Sequence, residues 1–412
     1  MKEPSSPLSL TDTRLLLYLF VGLRLLILIA HQPNLIPFNG GTLERGITVY
    51  GDFAYHFGIA EYARIGLLPY RDFWYEYPPL IPILSGGVYA LSGGNFTAYA
   101  NLLAVIFLLF DVGSLMLLRG MGRSLYGSPQ GDLIGWVYAF MPAPLILGFW
   151  NFESVVTFWV LLSLRFLIAP KAMLAGGVIA LGALTKFLPL ALIASAWRFL
   201  PRLGAFRVTV ISLVFTALGL SAVLWFAPRY GGVSLTAQFN KASFQTVWAL
   251  IDGNYITGTF SNDRFDPAQA SALRGNPAVI PAWLRLIIVG GVGGLIYLTT
   301  RRRDGRGLIA FGTVTLILVY LWSSGWSTQW QATLIPLILL ALPDRNGVML
   351  VLALSAFSFV EYPLIFVRGV DTAGVLQPAF VPLFSLAVVA RTGVLVITAL
   401  LLYLSLRTEA HP

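Results

Sequence analysis

Four of the chain's 18 acidic residues, Asp52, Glu61, Asp72 and Glu76, fall within one short stretch, GDFAYHFGIAEYARIGLLPYRDFWYEYPPL, residues 51–80. A well-placed carboxylate is a proton acceptor, so carboxylates gathered in an acid-poor chain mark a place where protons could be moved. On a helix Asp52 and His56 are i and i+4 and share a face. Glu61 and Arg64 lie on a neighbouring face, and Phe53, Phe57 and Ala60 are expected to dip into the membrane surface. A turn at 66–69 leads to an aromatic and acidic run, Tyr70 to Tyr77, that carries Arg71, Asp72 and Glu76. Pro78-Pro79 then sets an extended lead into the next helix. The plainer account of these residues is an amphipathic helix followed by a belt of aromatic rings at the lipid headgroups. The density of carboxylates is what that account leaves unexplained.

The elements that must position these residues are apolar. Residues of the AVILMFWYC set make up 57% of the 412 and charged residues 11%, against about 25% charged in water-soluble domains. The mean hydropathy is +0.78. A chain this apolar cannot cover its own surface in water, so the expected fold is an all-α, polytopic membrane helical bundle forming a single domain over residues 1–412. Lys and Arg number 27 against 18 acids, a formal charge of +9. They sit mostly in short loops between apolar runs, which reads as positive-inside topology and not as a surface for nucleic acid. There is no Cys, which excludes disulfides and thiolate metal sites. The only histidines, His31, His56 and His411, are too scattered for a zinc site of the usual kind. No metal and no cofactor are expected.

A span needs about 20 apolar residues. The candidates are 14–31, 97–118, 132–149, 153–169, 207–227, 281–300, 307–322, 328–342, 347–366 and 380–404. The first carries Arg24 and is followed by no small-residue cleavage site, so it reads as a retained span. The apolar stretch 172–200 is interrupted at Thr185-Lys186-Phe187-Leu188-Pro189, which predicts two short helices meeting at a turn. Arg119, Arg123, Lys171, Arg198, Arg202, Arg207 and Arg301-Arg302-Arg303 orient the bundle with both termini cytoplasmic and about 12 spans. The apolar piece Pro78 to Leu91 is then too short to cross and is expected as an interfacial or re-entrant helix. Segments 32–96, 228–280 and 367–379 and the short loop 323–327 share the external side. Arg24 and Asp111, inside spans, are expected to bond within the bundle.

The segment 51–80 resembles the first external loop of the C-type (GT-C) membrane glycosyltransferases. Within that superfamily it is most similar to the bacterial polyprenol-phosphate-mannose-dependent mannosyltransferases and to the catalytic subunit of GPI mannosyltransferase I. That loop carries an Asp near the start of a juxtamembrane helix, then G-x-x-P-Y, an aromatic stretch, and Y-P-P-L or Y-T-P-L. Here these are Asp52, Gly66 to Tyr70, and Tyr77-Pro78-Pro79-Leu80. Asn151-Phe152-Glu153-Ser154 resembles the family's G-N-x-E-S element. Lys186-Phe187-Leu188-Pro189 resembles its K-x-x-P. Ser327-Thr328-Gln329-Trp330 followed by Leu334-Ile335-Pro336 resembles its S-x-Q-Y…W-x-x-P. The Lys usual before that last element is absent, the chain reading Ser323-Ser324-Gly325-Trp326, and Asp52-Phe53-Ala54 is not the D-x-D of the eukaryotic GPI enzymes.

The resemblance implies transfer of a monosaccharide, mannose first, from a polyprenyl-phosphate sugar to a glycolipid or glycan acceptor. It also implies an inverting displacement in a bacterial plasma membrane, with the active site extracytoplasmic. Asp52 is the implied general base. The leaving phosphate needs cations and no acid, for which Lys186, Arg71 and His56 are the candidates. Glu76 is expected to bind sugar hydroxyls or orient the acceptor. Tyr75, Tyr77, Trp326 and Trp330 are expected to stack on sugar faces or line the lipid groove. Gln329 reads either as a helix-to-helix hydrogen bond or as a contact to the donor phosphate. Segment 228–280 is polar and without a motif, which suits a lid or acceptor-binding loop. The competing reading is a secondary transporter or lipid flippase, which the break at Lys186 would suit. Against it, no inverted repeat is evident and the polar residues gather in external loops.

Overall fold

The computed structural model describes residues 10–30, 51–149, 151–256, 258, 260, 263–366, 369–371 and 375–408. The start of the first external loop (residues 32–50), His31, His411 and parts of 367–379 lie outside the described residues. Helices account for the architecture. Strand pairing among the described residues is confined to isolated bridges, such as that between Phe244 and Gly325. Among the described residues five helical segments are long and apolar enough to cross a membrane: Phe96–Tyr126, Arg202–Phe226, Ala282–Thr299, Gly305–Trp322 and Pro378–Arg407. Shorter apolar helices pack among them, and together they build an integral membrane protein.

In chain order, α1 (Thr13–Ala30) leads to the juxtamembrane α2 (Gly51–Glu61) and α3 (Leu80–Leu91). The 31 residues of α4 (Phe96–Tyr126) follow, rising about 46 Å at ~1.5 Å per residue. Asn95 caps α4 by accepting from the Ala98 N–H at 2.9 Å. The apolar run 132–149, expected as one span, is two helices, α5 (Ser128–Ala139) and α6 (Pro142–Leu147). The chain turns at Phe140 and Met141 because Pro142 and Pro144 cannot continue a helix interior but open one readily.

Next come α7 (Glu153–Ile168) and α8 (Ala172–Thr185). Lys186 is extended (φ −159°, ψ 135°), and a 3-10 turn over Leu188–Leu192 leads into α9 (Ile193–Phe199). The exposed helix α10 (Arg202–Phe226) ends at the long external segment, which holds the short helices α11 (Gly231–Thr236) and α12 (Val247–Asp252). The chain continues through α13 (Ala282–Thr299), α14 (Gly305–Trp322), a 3-10 turn over Thr328–Trp330, and α15 (Gln331–Ala341). It ends with α16 (Arg345–Phe359) and α17 (Val381–Arg407). The expected span 347–366 loosens after Phe359 into a π-helical turn kinked at Tyr362 (φ −148°, ψ 118°), just before Pro363.

Two buried arginines of the bundle are paired with carboxylates. Arg24 Nε donates to Asp111 at 2.5 Å, and Tyr138 Oη donates to the same carboxylate at 2.6 Å. Arg391 meets Glu361 at 2.5 Å, both nearly inaccessible. The two ends of the bundle differ in chemistry. At one end Arg119 and Arg123 share Asp132, Arg301 N bonds Leu406 O, Arg306 Nε bonds Leu125 O, and Arg303 bonds Arg198 O. At the other, beyond the start of α4, α2 meets the segment that follows α10 and the link between α14 and α15.

Candidate active site

The apolar face of α2 is anchored in protein. Phe53 is fully buried against Phe107 at 5.5 Å. Phe57 packs on Tyr89, Phe96 and Tyr99 at 5.1–5.3 Å, and Ala60 is buried. These three were expected to dip into lipid; α3 and α4 cover them instead. The packing fixes the opposite face, and with it Asp52, at the mouth of the bundle.

Asp52 is half-buried. Its Oδ2 accepts from Gln329 Nε2 at 3.4 Å. Gln329 is oriented for this, since its Oε1 accepts from Ser327 Oγ at 2.5 Å, leaving the NH2 group toward Asp52. Every other described carboxylate touches an arginine, a lysine or a backbone N–H. Asp304, Asp344 and Asp266 cap helices; Asp72, Asp111, Asp132 and Glu361 meet arginines. Asp52 meets neither among the described residues. Burial, and next the nearby Glu153 charge, push its carboxyl up to about 6, with Lys186 and Lys241 acting in the opposite sense.

Lys186 and Glu153 form an ion pair beside it. The extended backbone at the α8 break aims Lys186 at the start of α7, where Glu153 sits in the first turn, a favourable place for a carboxylate. Thr333 Oγ1 donates to the other Glu153 oxygen at 3.3 Å. Asn151 Oδ1 accepts from the Glu153 N–H at 3.0 Å and so helps start α7. The Lys186 ammonium also lies 4.6 Å over the Trp330 ring.

His56, one turn from Asp52, is buried among rings: Tyr77 at 5.0 Å, Phe152 at 4.6 Å and Tyr55 at 4.9 Å. Tyr75 Oη bonds its Nδ1 at 2.5 Å. Burial first, then Arg264, hold the imidazole down to about 3, so at neutral pH it is uncharged, and with no exposed surface it is not placed as the phosphate ligand expected from the sequence. Burial likewise keeps the Tyr75 and Tyr77 hydroxyls protonated.

Glu76 faces the segment after α10. It accepts from Tyr55 Oη at 2.8 Å and pairs with Arg264 at 2.7 Å. Arg264 lies 4.0 Å over Trp74, whose backbone N–H donates to Arg264 O at 3.0 Å. The aromatic run of the first loop is thereby stitched to residues nearly 190 positions later. Arg71 is placed elsewhere: it is half-exposed, bonds Asp72 at 2.8 Å and Gly66 O at 2.6 Å, and has no described contact with the Asp52 group. Trp326 is buried behind the site, edge-on to Tyr320 and Trp330 at 5.5 and 6.0 Å and 4.4 Å from the Arg391 guanidinium.

The site thus brings Asp52, His56, Glu76, Tyr75, Tyr77, Lys186 and Gln329 into one neighbourhood. Three residues it adds were not singled out in the sequence. Glu153 stands inside a motif already noted. Lys241 and Arg264 come from the motif-free segment, where nothing in the residue types distinguished them from their polar neighbours.

No protein-family model and no curated protein matches the chain. Among solved structures it is similar to the Archaeoglobus fulgidus oligosaccharyltransferase. To the apo form the identity is 13% and the TM-score 0.44, over 97% of this chain and 57% of that one. To the form tethered with an acceptor peptide containing the NVT sequon the identity is 14% and the TM-score 0.42, over 95% of this chain and 55% of that one. The chain therefore spans little more than half the length of the structures it matches. At these scores the function has to be read from this chain's own side chains.

Proposed function

We propose that the chain is a membrane glycosyltransferase that moves a monosaccharide, mannose first, from a polyprenyl-phosphate carrier to a hydroxyl of a glycolipid or glycan acceptor. The basic end of the bundle faces the cytoplasm and the Asp52 end the extracytoplasmic side, following the positive-inside bias, with about 12 crossings. The observation that carries the reading is the state of Asp52. It is the described carboxylate left without a cation or backbone donor, half-open at the bundle mouth and one helical turn from His56.

Asp52 takes the proton of the acceptor hydroxyl while that oxygen attacks the anomeric carbon. The bond from that carbon to the phosphate oxygen breaks, and polyprenyl phosphate leaves with the electron pair. One displacement inverts the anomeric configuration. The raised carboxyl, near 6, is a stronger base than an ordinary aspartate yet still ionised at neutral pH. Gln329 holds the carboxylate in place, and the partly exposed Tyr77 supplies a hydroxyl and a ring face for a sugar, with the buried Tyr75 behind it.

The test is to incubate the purified protein with polyprenyl-phosphate mannose and a panel of glycolipid and glycan acceptors. The expected product has the opposite anomeric configuration to the donor, read by NMR. Solute uptake into proteoliposomes with no sugar transferred would sustain the transporter reading instead.

A further inference from the structure

The charges around Asp52 nearly cancel in pairs. Glu153 meets Lys186, and Glu76 meets Arg264. Arg71 is spent on Asp72 at the surface, and His56 is locked in an aromatic box. What remains is one carboxylate, Asp52, and one ammonium, Lys241. Among the described residues Lys241 makes no ion pair. Its Nζ donates to Gly258 O at 2.6 Å and lies 3.9 Å from the Phe260 ring and 5.4 Å from Phe244. An ammonium has three N–H donors, so two stay available.

We propose that Lys241 is the group that receives the phosphate of the lipid carrier, and that the segment after α10 is therefore part of the donor site. This rests on the function proposed above. A leaving phosphate needs positive charge that is not already cancelled. Lys186, the obvious candidate, is neutralised by its own carboxylate, whereas Lys241 is not. The recess beside it, lined by Asn240, Gly258, Phe260 and Arg274, has about 10 Å³ of room. That admits one water-sized group, enough for a single phosphate oxygen and too little for a sugar ring. Arg274 stands exposed at the rim, with no ion pair among the described residues. The segment is held over the site by Phe244, whose backbone bonds Ser324 O and the Trp326 N–H at 3.1 and 3.0 Å. Its ring also fills the space left by the missing side chains of Gly258 and Gly325.

Binding of polyprenyl phosphate, and of polyprenol as the same chain without the phosphate, is measured on the full-length protein in nanodiscs. Lys241→Gln is expected to weaken polyprenyl phosphate by roughly tenfold or more and to leave polyprenol unchanged, while Lys241→Arg keeps the binding within a few-fold. Undiminished polyprenyl phosphate binding in Lys241→Gln would overturn the assignment. So would an equal loss of polyprenol, or inorganic phosphate alone displacing the lipid phosphate to the same extent in wild type and Lys241→Gln. No turnover is read, so a wild type that binds through Lys241 yet transfers no sugar leaves this assignment standing and removes the proposed reaction.

Discussion

Gln329 offers its amide N–H to the Asp52 carboxylate at 3.4 Å, joining two residues 277 positions apart. Ser327 sets the direction of that amide. The contact favours the ionised carboxylate, which is the form a base requires. Gln329→Leu is expected to lower kcat roughly 10- to 100-fold, the cost of losing a hydrogen bond to a charged group. It should also move the acid limb of the pH profile upward, since the charged form loses a donor. A pH-rate series on the purified variant reads both.

Transfer is expected to rise as Asp52 loses its proton near pH 6 and to fall as Lys241 loses its own near 8. Burial lowers Lys241, helped by Arg264 and opposed by Glu76 and Asp52. Glu153→Gln removes the second cause of the Asp52 rise and frees the Lys186 charge. Both changes stabilise the Asp52 anion, so the acid limb shifts to lower pH. An unmoved limb would mean that Asp52 is not the group it reports.

Arg71 looked like a phosphate ligand in the sequence, but its side chain is half-exposed and already bonded to Asp72 and Gly66 O. Exposed pairs of this kind contribute little. Arg71→Ala is expected to leave kcat/KM within about twofold of wild type, measured under the same donor and acceptor conditions.

The Glu361–Arg391 pair is a structural post. Arg391 also donates to Gln245 O at 2.5 Å and underlies Trp326, so it ties α17 to both loop segments that reach the site. Arg391→Met strands a buried carboxylate and is expected to cost about 3–5 kcal/mol. Glu361→Leu combined with Arg391→Met should recover most of that. Thermal unfolding in detergent distinguishes the two.

What the sequence disclosed was mostly local. Lys186 beside Pro189 announced a broken helix, Arg24 and Asp111 were expected to bond within the bundle and do so with each other, and the aromatic, acid-rich run at 51–80 pointed to the candidate site. Long-range pairing was hidden. Glu76 finds Arg264 and Trp74 finds Asp263 O across nearly 190 residues, and no spacing rule encodes that. Hydropathy alone also joined 132–149 into one span, although Pro142 and Pro144 divide it. It sent Phe53 and Phe57 to lipid as well, because an apolar face does not say whether protein or membrane will cover it.

The most direct test is sugar transfer by Asp52→Asn, with folding verified by unchanged thermal unfolding and unchanged polyprenyl phosphate binding. The amide keeps the shape and loses the base, so kcat is expected to fall about 10²- to 10⁴-fold. Transfer at the wild-type rate in that folded variant would contradict Asp52 as the proton acceptor.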